Sequence, residues 1–311
     1  MGPFFFVLGT RDHEMQMIQR LLNQCNQSWH TATAGHMPVH GGTMYTIDPV
    51  MAPEGHQLVL VECGWLGQPK DALIIDHHRP GDPGYGKLPD DFLEASSVGQ
   101  IVNLLARAGL VHHHLPWPAI RASTSGAVAG LFNLRYTTVL GSHKAMYWDV
   151  AVQKGLPGRV EWYEVPYEVV YTAAADHCLG HAYRGRCPGV TPTSLLAYRV
   201  RVKAEMQNRP SADIQRDIDA AMEAVKAAPT MTIAGVVVSV MGDEYVRELP
   251  EAAAYLGRPY LGRGIQTPEG RQKEVLQSAP PDVVAKWMEI HSGSEIYGDP
   301  ARGFAGRYLP A

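Results

Sequence analysis

Acidic residues stand at or just beyond the ends of short apolar runs in the first part of the chain. Phe4 to Leu8 leads into GTRDHE, which carries Asp12 and Glu14; QLVLVECG (57–64) carries Glu62; and ALIID (72–76) ends on Asp76, followed at once by His77 and His78. A further acid, Asp176, lies in EVVYTAAADHCLGHAY. Short, continuous apolar runs read as strands buried on both faces. In an open α/β sheet the ligand crevice lies at the carboxyl ends of the strands, which would bring these side chains to one place. Carboxylates held together repel one another and stay ionised only beside cations. A mixture of carboxylate and imidazole suits Mn²⁺ or a similar first-row ion, and a pair of such ions suits phosphoryl chemistry.

The segment IIDHHRP resembles the signature of the DHH phosphoesterase superfamily, which includes RecJ-type exonucleases, oligoribonucleases of the nanoRNase type and manganese pyrophosphatases. LVLVECG is similar to that family's strand ending in a bridging Asp, with Glu62 in its place, and GTRDHEM to its first motif, with Asp12 and Glu14 standing for paired aspartates. EASSVGQIV resembles its Ser-rich helix start, YTAAADHCLG its fourth motif with Asp176, and GDPARGFAG the glycine-rich substrate motif of its smaller domain. The chain departs from the pattern at Leu8, where family members often carry a His, and at Glu14 and Glu62, where they carry Asp. The segment 111–168 has no counterpart in the family.

The resemblance implies a metal set of Asp12, Glu14, Glu62, Asp76, His77 and Asp176 holding two Mn²⁺ ions between two lobes, with Mg²⁺ or Co²⁺ as alternatives. Glu62 would bridge, and Asp76 would either join the cluster or orient His77. Asp76 and His78 would be catalytic, with His78 facing the substrate. Ser96 and Ser97 at a helix start, and Gly298, Arg302, Gly303 and Gly306 in the tail, would bind it, with Arg307 as a further cation. The implied activity is hydrolysis of a small oligonucleotide, a nucleoside bisphosphate or a cyclic dinucleotide by a metal-activated water. A RecJ-like single-strand exonuclease and a catalytically degenerate nucleotide-binding protein are the alternatives. The implied partner is a small nucleotide or short single-stranded oligonucleotide, and a homodimer is compatible with the resemblance.

Simpler readings exist for several of these residues. Asp12 and Glu14 suit a helix amino terminus, Ser96 and Ser97 suit helix caps, and the tail glycines suit a turn. His177, Cys178, His181 and Cys187 invite a zinc site, which the absence of paired short Cys spacing opposes. Tyr136, Tyr147, Trp148, Trp162, Tyr163 and Tyr167 would either stack bases in a lid or pack in a core.

The elements that must position this chemistry are legible in most of the chain. Its 311 residues allow two lobes, and 27 Lys plus Arg against 31 Asp plus Glu give a net charge of −4, too little positive field to hold a long polyanion. Four cysteines without regular spacing read as reduced thiols, and the start of the chain has neither a signal-peptide pattern nor a membrane-length run, so the expected setting is cytoplasmic. Strands alternating with helices predict an α/β catalytic lobe built on a doubly wound, mainly parallel sheet over 1–190, with an irregular insertion at about 111–168. A helix over ASSVGQIVNLLARAG directs Val98, Ile101, Val102 and Leu105 inward, with Gly109 just past its end. Residues 191–228 read as a helical linker, its second helix capped by Ser211 with Ile214, Ile218, Met222 and Val225 on one face. Residues 229–311 read as a smaller α/β substrate-binding lobe, opening with MTIAGVVVSVMG as one strand.

Overall fold

The computed structural model describes residues 3–111, 121–122, 132–139, 143–153, 160–243, 245–263, 272–292 and 295–309, with side chains described outside 121–164. The fold is α/β, and the chain forms two compact units: Met1–Tyr85 with Asp91–His177, and Gly86–Asp90 with Cys178–Ala311.

The first unit begins with β1 (Phe4–Leu8), α1 (His13–Gln24), β2 (Ser28–Thr31), the short pair β3 (Thr33–Ala34) and β4 (Met37–Pro38), β5 (Gln57–Val61) and β6 (Leu73–Ile75). Strands β2, β1, β5 and β6 lie in that order in one sheet, every neighbouring pair parallel. The central strands are buried on both faces, with Phe6, Val7, Leu8, Val59, Leu60 and Val61 inaccessible. The chain passes from β1 to β2 on one side and then from β2 across to β5 on the other, which places the topological switch point between β1 and β5. After β6 come α2 (Phe92–Ala95) and α3 (Ser97–Arg107). The inward face of α3 carries Val98, Ile101, Val102 and Leu105, and Gly109 follows in the left-handed region at φ 71°.

The segment expected to be irregular contains four antiparallel strands: β7 (Arg121–Ala122), β8 (Phe132–Val139), β9 (His143–Gln153) and β10 (Val160–Pro166), ordered β7-β10-β9-β8. Its β-branched and aromatic residues suit strands. The chain then enters α4 (Tyr167–Tyr183), whose helical backbone is interrupted at Cys178 (φ −150°, ψ 44°). The units divide there, after His177, and not near 190.

The second unit holds α5 (Pro192–Gln207) and α6 (Ser211–Ala227), so these helices are not a free linker. Ile214, Ile218 and Ala221 of α6 pack with Val200 and Ala204 of α5 and with Ala252 further along the chain. Pro210, not Ser211, occupies the cap position of α6. The expected single strand at 230–241 is two, β11 (Thr230–Ile233) and β12 (Val236–Val240), because Ala234 and Gly235 take positive φ and fold the run into an antiparallel hairpin. Then follow α7 (Leu249–Leu256), β13 (Tyr260–Arg263), β14 (Lys273–Gln277), α8 (Pro281–Ile290), β15 (Ile296–Asp299) and β16 (Phe304–Tyr308). The sheet runs β11-β12-β13-β14-β16-β15, parallel only between β12 and β13. Val283, Val284 and Trp287 of α8 form a core with Val238, Leu276 and Ala305. Among the described residues, no helix is long and apolar enough to cross a membrane.

Candidate metal centre

Ends of parallel strands position the acids of the first unit. Glu62 immediately follows β5 and adopts φ 50°, a left-handed conformation uncommon outside glycine and retained where the surroundings enforce it. Gly9, just after β1, permits this turn, because a Cβ there would overlap the Glu62 carbonyl. His77 follows β6 at close quarters with Gly84, whose hypothetical Cβ would lie 2.6 Å from that of His77. Glu14 sits in the first turn of α1, and its Oε1 accepts from the Val98 amide at the start of α3 at 2.8 Å. Asp176 comes from α4.

These four side chains converge on His77. Its Nε2 lies 2.9 Å from Asp176 Oδ2, 3.5 Å from Glu62 Oε1 and 3.9 Å from Glu14 Oε2. Ligand atoms of Glu14, Glu62, His77 and Asp176 all fall within 4.8 Å of one another, and Glu62, His77 and His78 form a second, overlapping group. Glu14, Glu62 and His77 are buried, while the Asp176 side chain is 27 % exposed and opens the cluster to solvent. Glu14 Oε2 and Glu62 Oε1 are buried acceptors with no hydrogen-bond partner among the described residues. Such groups are costly unless a cation meets them. The donor set, carboxylate oxygens with imidazole nitrogen, fits a first-row divalent ion. All of these residues belong to the first unit, so the ligand set does not need two lobes to assemble it.

Electrostatics support the same reading. Burial, followed by the charges of Asp176 and Glu62, pushes the Glu14 carboxyl well above the usual range. Burial together with Glu62 and Asp176 pushes Asp12 up to about 8. Burial acts on Glu62 in the same sense, but the His77 imidazole and the charge of His78 outweigh it and hold Glu62 low. Burial and mutual repulsion thus favour the neutral forms of Glu14 and Asp12 in the metal-free chain, and a bound cation would favour their ionised forms.

Around this core is a set of orienting contacts. His77 Nδ1 lies 3.0 Å from His177 Nδ1, and the two rings stack with centroids 5.2 Å apart. For His77 to present Nε2 as a lone pair, its Nδ1 carries the hydrogen and donates to His177. Asp76 does not join either ligand group. Its Oδ1 accepts from the His77 and His78 amides at 2.7 and 3.0 Å and meets His78 Nδ1 at 2.9 Å, while Oδ2 accepts from the Tyr45 hydroxyl at 3.0 Å. Asp76 thus orients His78, not His77. Burial raises its carboxyl, but the hydrogen bonds and charge of His78, the backbone and Tyr45 hold it below the usual range. Gln100 braces the loop by donating to the backbone carbonyls of Asp76 and Ala95. His177, Tyr45 and Gln100 carry no motif of their own; only the His next to Asp176 was visible as a metal-type residue.

Other expected site residues have positions explained by the fold. Asp12 caps α1, its Oδ1 accepting from Met15 N at 2.8 Å, and lies outside both ligand groups. Ser96 caps α3 by accepting from Gly99 N at 3.1 Å, and both Ser96 and Ser97 are inaccessible. The start of α3 accordingly serves Ser96 and Glu14. In the second unit, side chains at Gly298 and Gly303 would collide with neighbouring backbone, and one at Gly306 with the Tyr297 ring, so these glycines serve close packing of the chain on itself. Arg302 lies over the Phe304 ring at 5.3 Å, and Arg307 donates to Glu274 at 2.6 Å. His13 Nε2 lies 3.1 Å from Thr172 Oγ1. Tyr136, Tyr147, Trp148, Trp162 and Tyr163 have side chains outside the described residues, whereas Tyr167 meets Tyr171 edge-on.

No family model matches the chain, and no curated protein matches it. Among solved structures, it is similar to PggH, a pGpG-specific phosphodiesterase from Vibrio cholerae, at 9 % identity and a TM-score of 0.40, over 98 % of this chain and 93 % of that one.

Proposed function

We propose that this chain is a metal-dependent phosphoesterase that hydrolyses short nucleotide substrates: a small oligonucleotide, a nucleoside bisphosphate or a cyclic dinucleotide. The observation that carries this reading is the buried convergence of Glu14, Glu62 and Asp176 on His77, with Glu62 and His77 common to two overlapping ligand groups. Of the two shared residues, only the Glu62 carboxylate has oxygens enough to face two divalent ions, Mn²⁺ by donor chemistry with Mg²⁺ or Co²⁺ as alternatives. When bound, such ions neutralise phosphoryl oxygens and lower the pKa of water.

The residues of the chain divide the remaining work. Glu14 is held by the Val98 amide and Asp176 borders solvent, so one ligand is rigid and one is placed where substrate arrives. His177 fixes the ring of His77. Asp76 holds His78 through Nδ1, leaving Nε2 of a side chain 29 % exposed to interact with a phosphoryl oxygen or leaving group. A net charge of −4 favours a small substrate over a polymeric one.

Commitment of Asp12 and Asp76 to hydrogen bonds within the chain favours a second reading, a nucleotide-binding protein without turnover. The two separate on a panel of short RNA and DNA oligomers, adenosine bisphosphate, cyclic dinucleotides and pyrophosphate, assayed with Mn²⁺ and with EDTA. Hydrolysis that needs Mn²⁺ and disappears in folded His77→Ala supports the enzyme. Binding without turnover, unchanged by His77→Ala, supports the second reading.

A further inference from the structure

We propose that Cys178 and Cys187 are an oxidisable pair that closes an intrachain disulfide within the second unit. Their sulfurs lie 2.8 Å apart, less than an ångström beyond the S–S bond length of about 2.05 Å. Both are buried, and both are held in place by backbone structure. Cys178 is the residue at which α4 leaves helical geometry. Cys187 lies in the turn after α4, where the Arg186 amide donates to the His181 carbonyl at 3.0 Å and the Val190 amide to the Cys187 carbonyl at 3.1 Å.

Buried cysteines commonly serve as small apolar side chains, and Cys25 and Cys63 fit that description. Burial pushes the Cys25 thiol up to about 11 and the Cys63 thiol up to about 12, and Cys63 is bonded to the Val7 carbonyl. The Cys178–Cys187 pair differs in its surroundings, each sulfur standing against the other. Cys187 also lines a cavity of about 1110 Å³ in the second unit, together with His181, Arg186, Pro188 and Ala301.

With a peroxide as oxidant, the Cys187 sulfur attacks one peroxide oxygen. The S–O bond forms, the O–O bond breaks, and the departing oxygen leaves as water after protonation. The Cys178 sulfur then attacks the sulfenic sulfur, the S–S bond forms, the S–O bond breaks and a second water leaves. Two thiols lose two electrons, and one peroxide gains them. The bond would fix the backbone immediately after His177, the residue that orients His77.

The test treats the folded, full-length protein with hydrogen peroxide, alkylates remaining thiols under denaturing conditions and digests with trypsin, which cuts between the two cysteines at Arg184 and Arg186. The expected result is a fall in alkylatable thiols from four to two, a loss of two hydrogens in intact mass, and a Cys178–Cys187 linked peptide that dithiothreitol separates. In Cys178→Ser, and in Cys187→Ser should the first variant fail to fold, the linked peptide is absent. Four alkylatable thiols after treatment, a link to Cys25 or Cys63, or a Cys178–Cys187 link formed only in unfolded protein would each overturn the proposal.

Discussion

Each unit buries a cluster of acids, and the two clusters are compensated in opposite ways. In the second unit, Glu251 is inaccessible, yet its Oε2 accepts from Arg199 Nε and Nη2 at 3.0 and 2.8 Å, its Oε1 accepts from Tyr183, and Lys203 stands 3.5 Å away. Lys203 and Gln207 satisfy Glu248 in turn. Burial raises the Glu251 carboxyl, but the charges of Arg199 and Lys203 and the hydrogen bonds from Arg199 and Tyr183 outweigh it and hold it low. In the first unit, Glu14, Glu62 and Asp176 surround a single imidazole, and Glu14 and Asp12 are driven upward. A cluster that supplies its own guanidinium and ammonium is structural. A cluster of acids around histidine, with unmatched buried acceptors, could hold a cation from solution.

The sharpest way to break this contrast is to remove the cation from the self-sufficient cluster. Arg199→Met leaves the Glu251 charge buried and should cost about 3–5 kcal/mol in denaturant unfolding, with Mn²⁺ affinity per folded molecule unchanged in calorimetry. The converse change, His77→Ala, removes the imidazole that holds Glu62 low and so costs the metal-free protein stability as well, but unlike Arg199→Met it should weaken Mn²⁺ binding per folded molecule by more than about a hundredfold, the upper loss for an orienting partner. His177→Ala tests that orienting role itself. It should weaken Mn²⁺ binding per folded molecule by about 10- to 100-fold in calorimetry.

Acidity distinguishes the clusters by sign. The depressed carboxyl of Glu251 contributes stability that is present above its unfolded value near 4.5 and lost as pH falls through its folded value. Asp12, raised from 3.8 to about 8, acts oppositely: the folded metal-free chain binds the extra proton between those values, so stability falls as pH rises through them. Metal-free protein should therefore melt lower at pH 8 than at pH 6 in the same salt, by a smaller margin than the substitutions above, and added Mn²⁺ should remove the difference.

What the sequence disclosed follows physical range. The apolar runs at 4–8 and 57–61 and the helix with Val98, Ile101, Val102 and Leu105 announce themselves through local pattern, and the acids at strand ends follow from parallel-sheet geometry. The turn at Ala234 and Gly235 was hidden because apolar residues flank it on both sides, and its signal is a backbone angle. Sequence does not separate a ligand from a capping or bracing carboxylate at Asp12 and Asp76, because the residue type is the same, and the distances that bind Asp12 to Met15 and Asp76 to His78 appear only in the fold. His177 was missed as a partner of His77 because the two are 100 residues apart and meet through the fold. The tail glycines resembled a substrate loop, yet the space beside each is filled by Ala305, Ala279 or Tyr297.

Anomalous diffraction from crystals equilibrated with Mn²⁺ tests the central claim most directly. The expected result is manganese density within the group formed by Glu14, Glu62, His77 and Asp176, absent in His77→Ala crystals treated identically. Density elsewhere only, or an empty cluster at saturating Mn²⁺ near pH 8, would contradict a metal centre at this site.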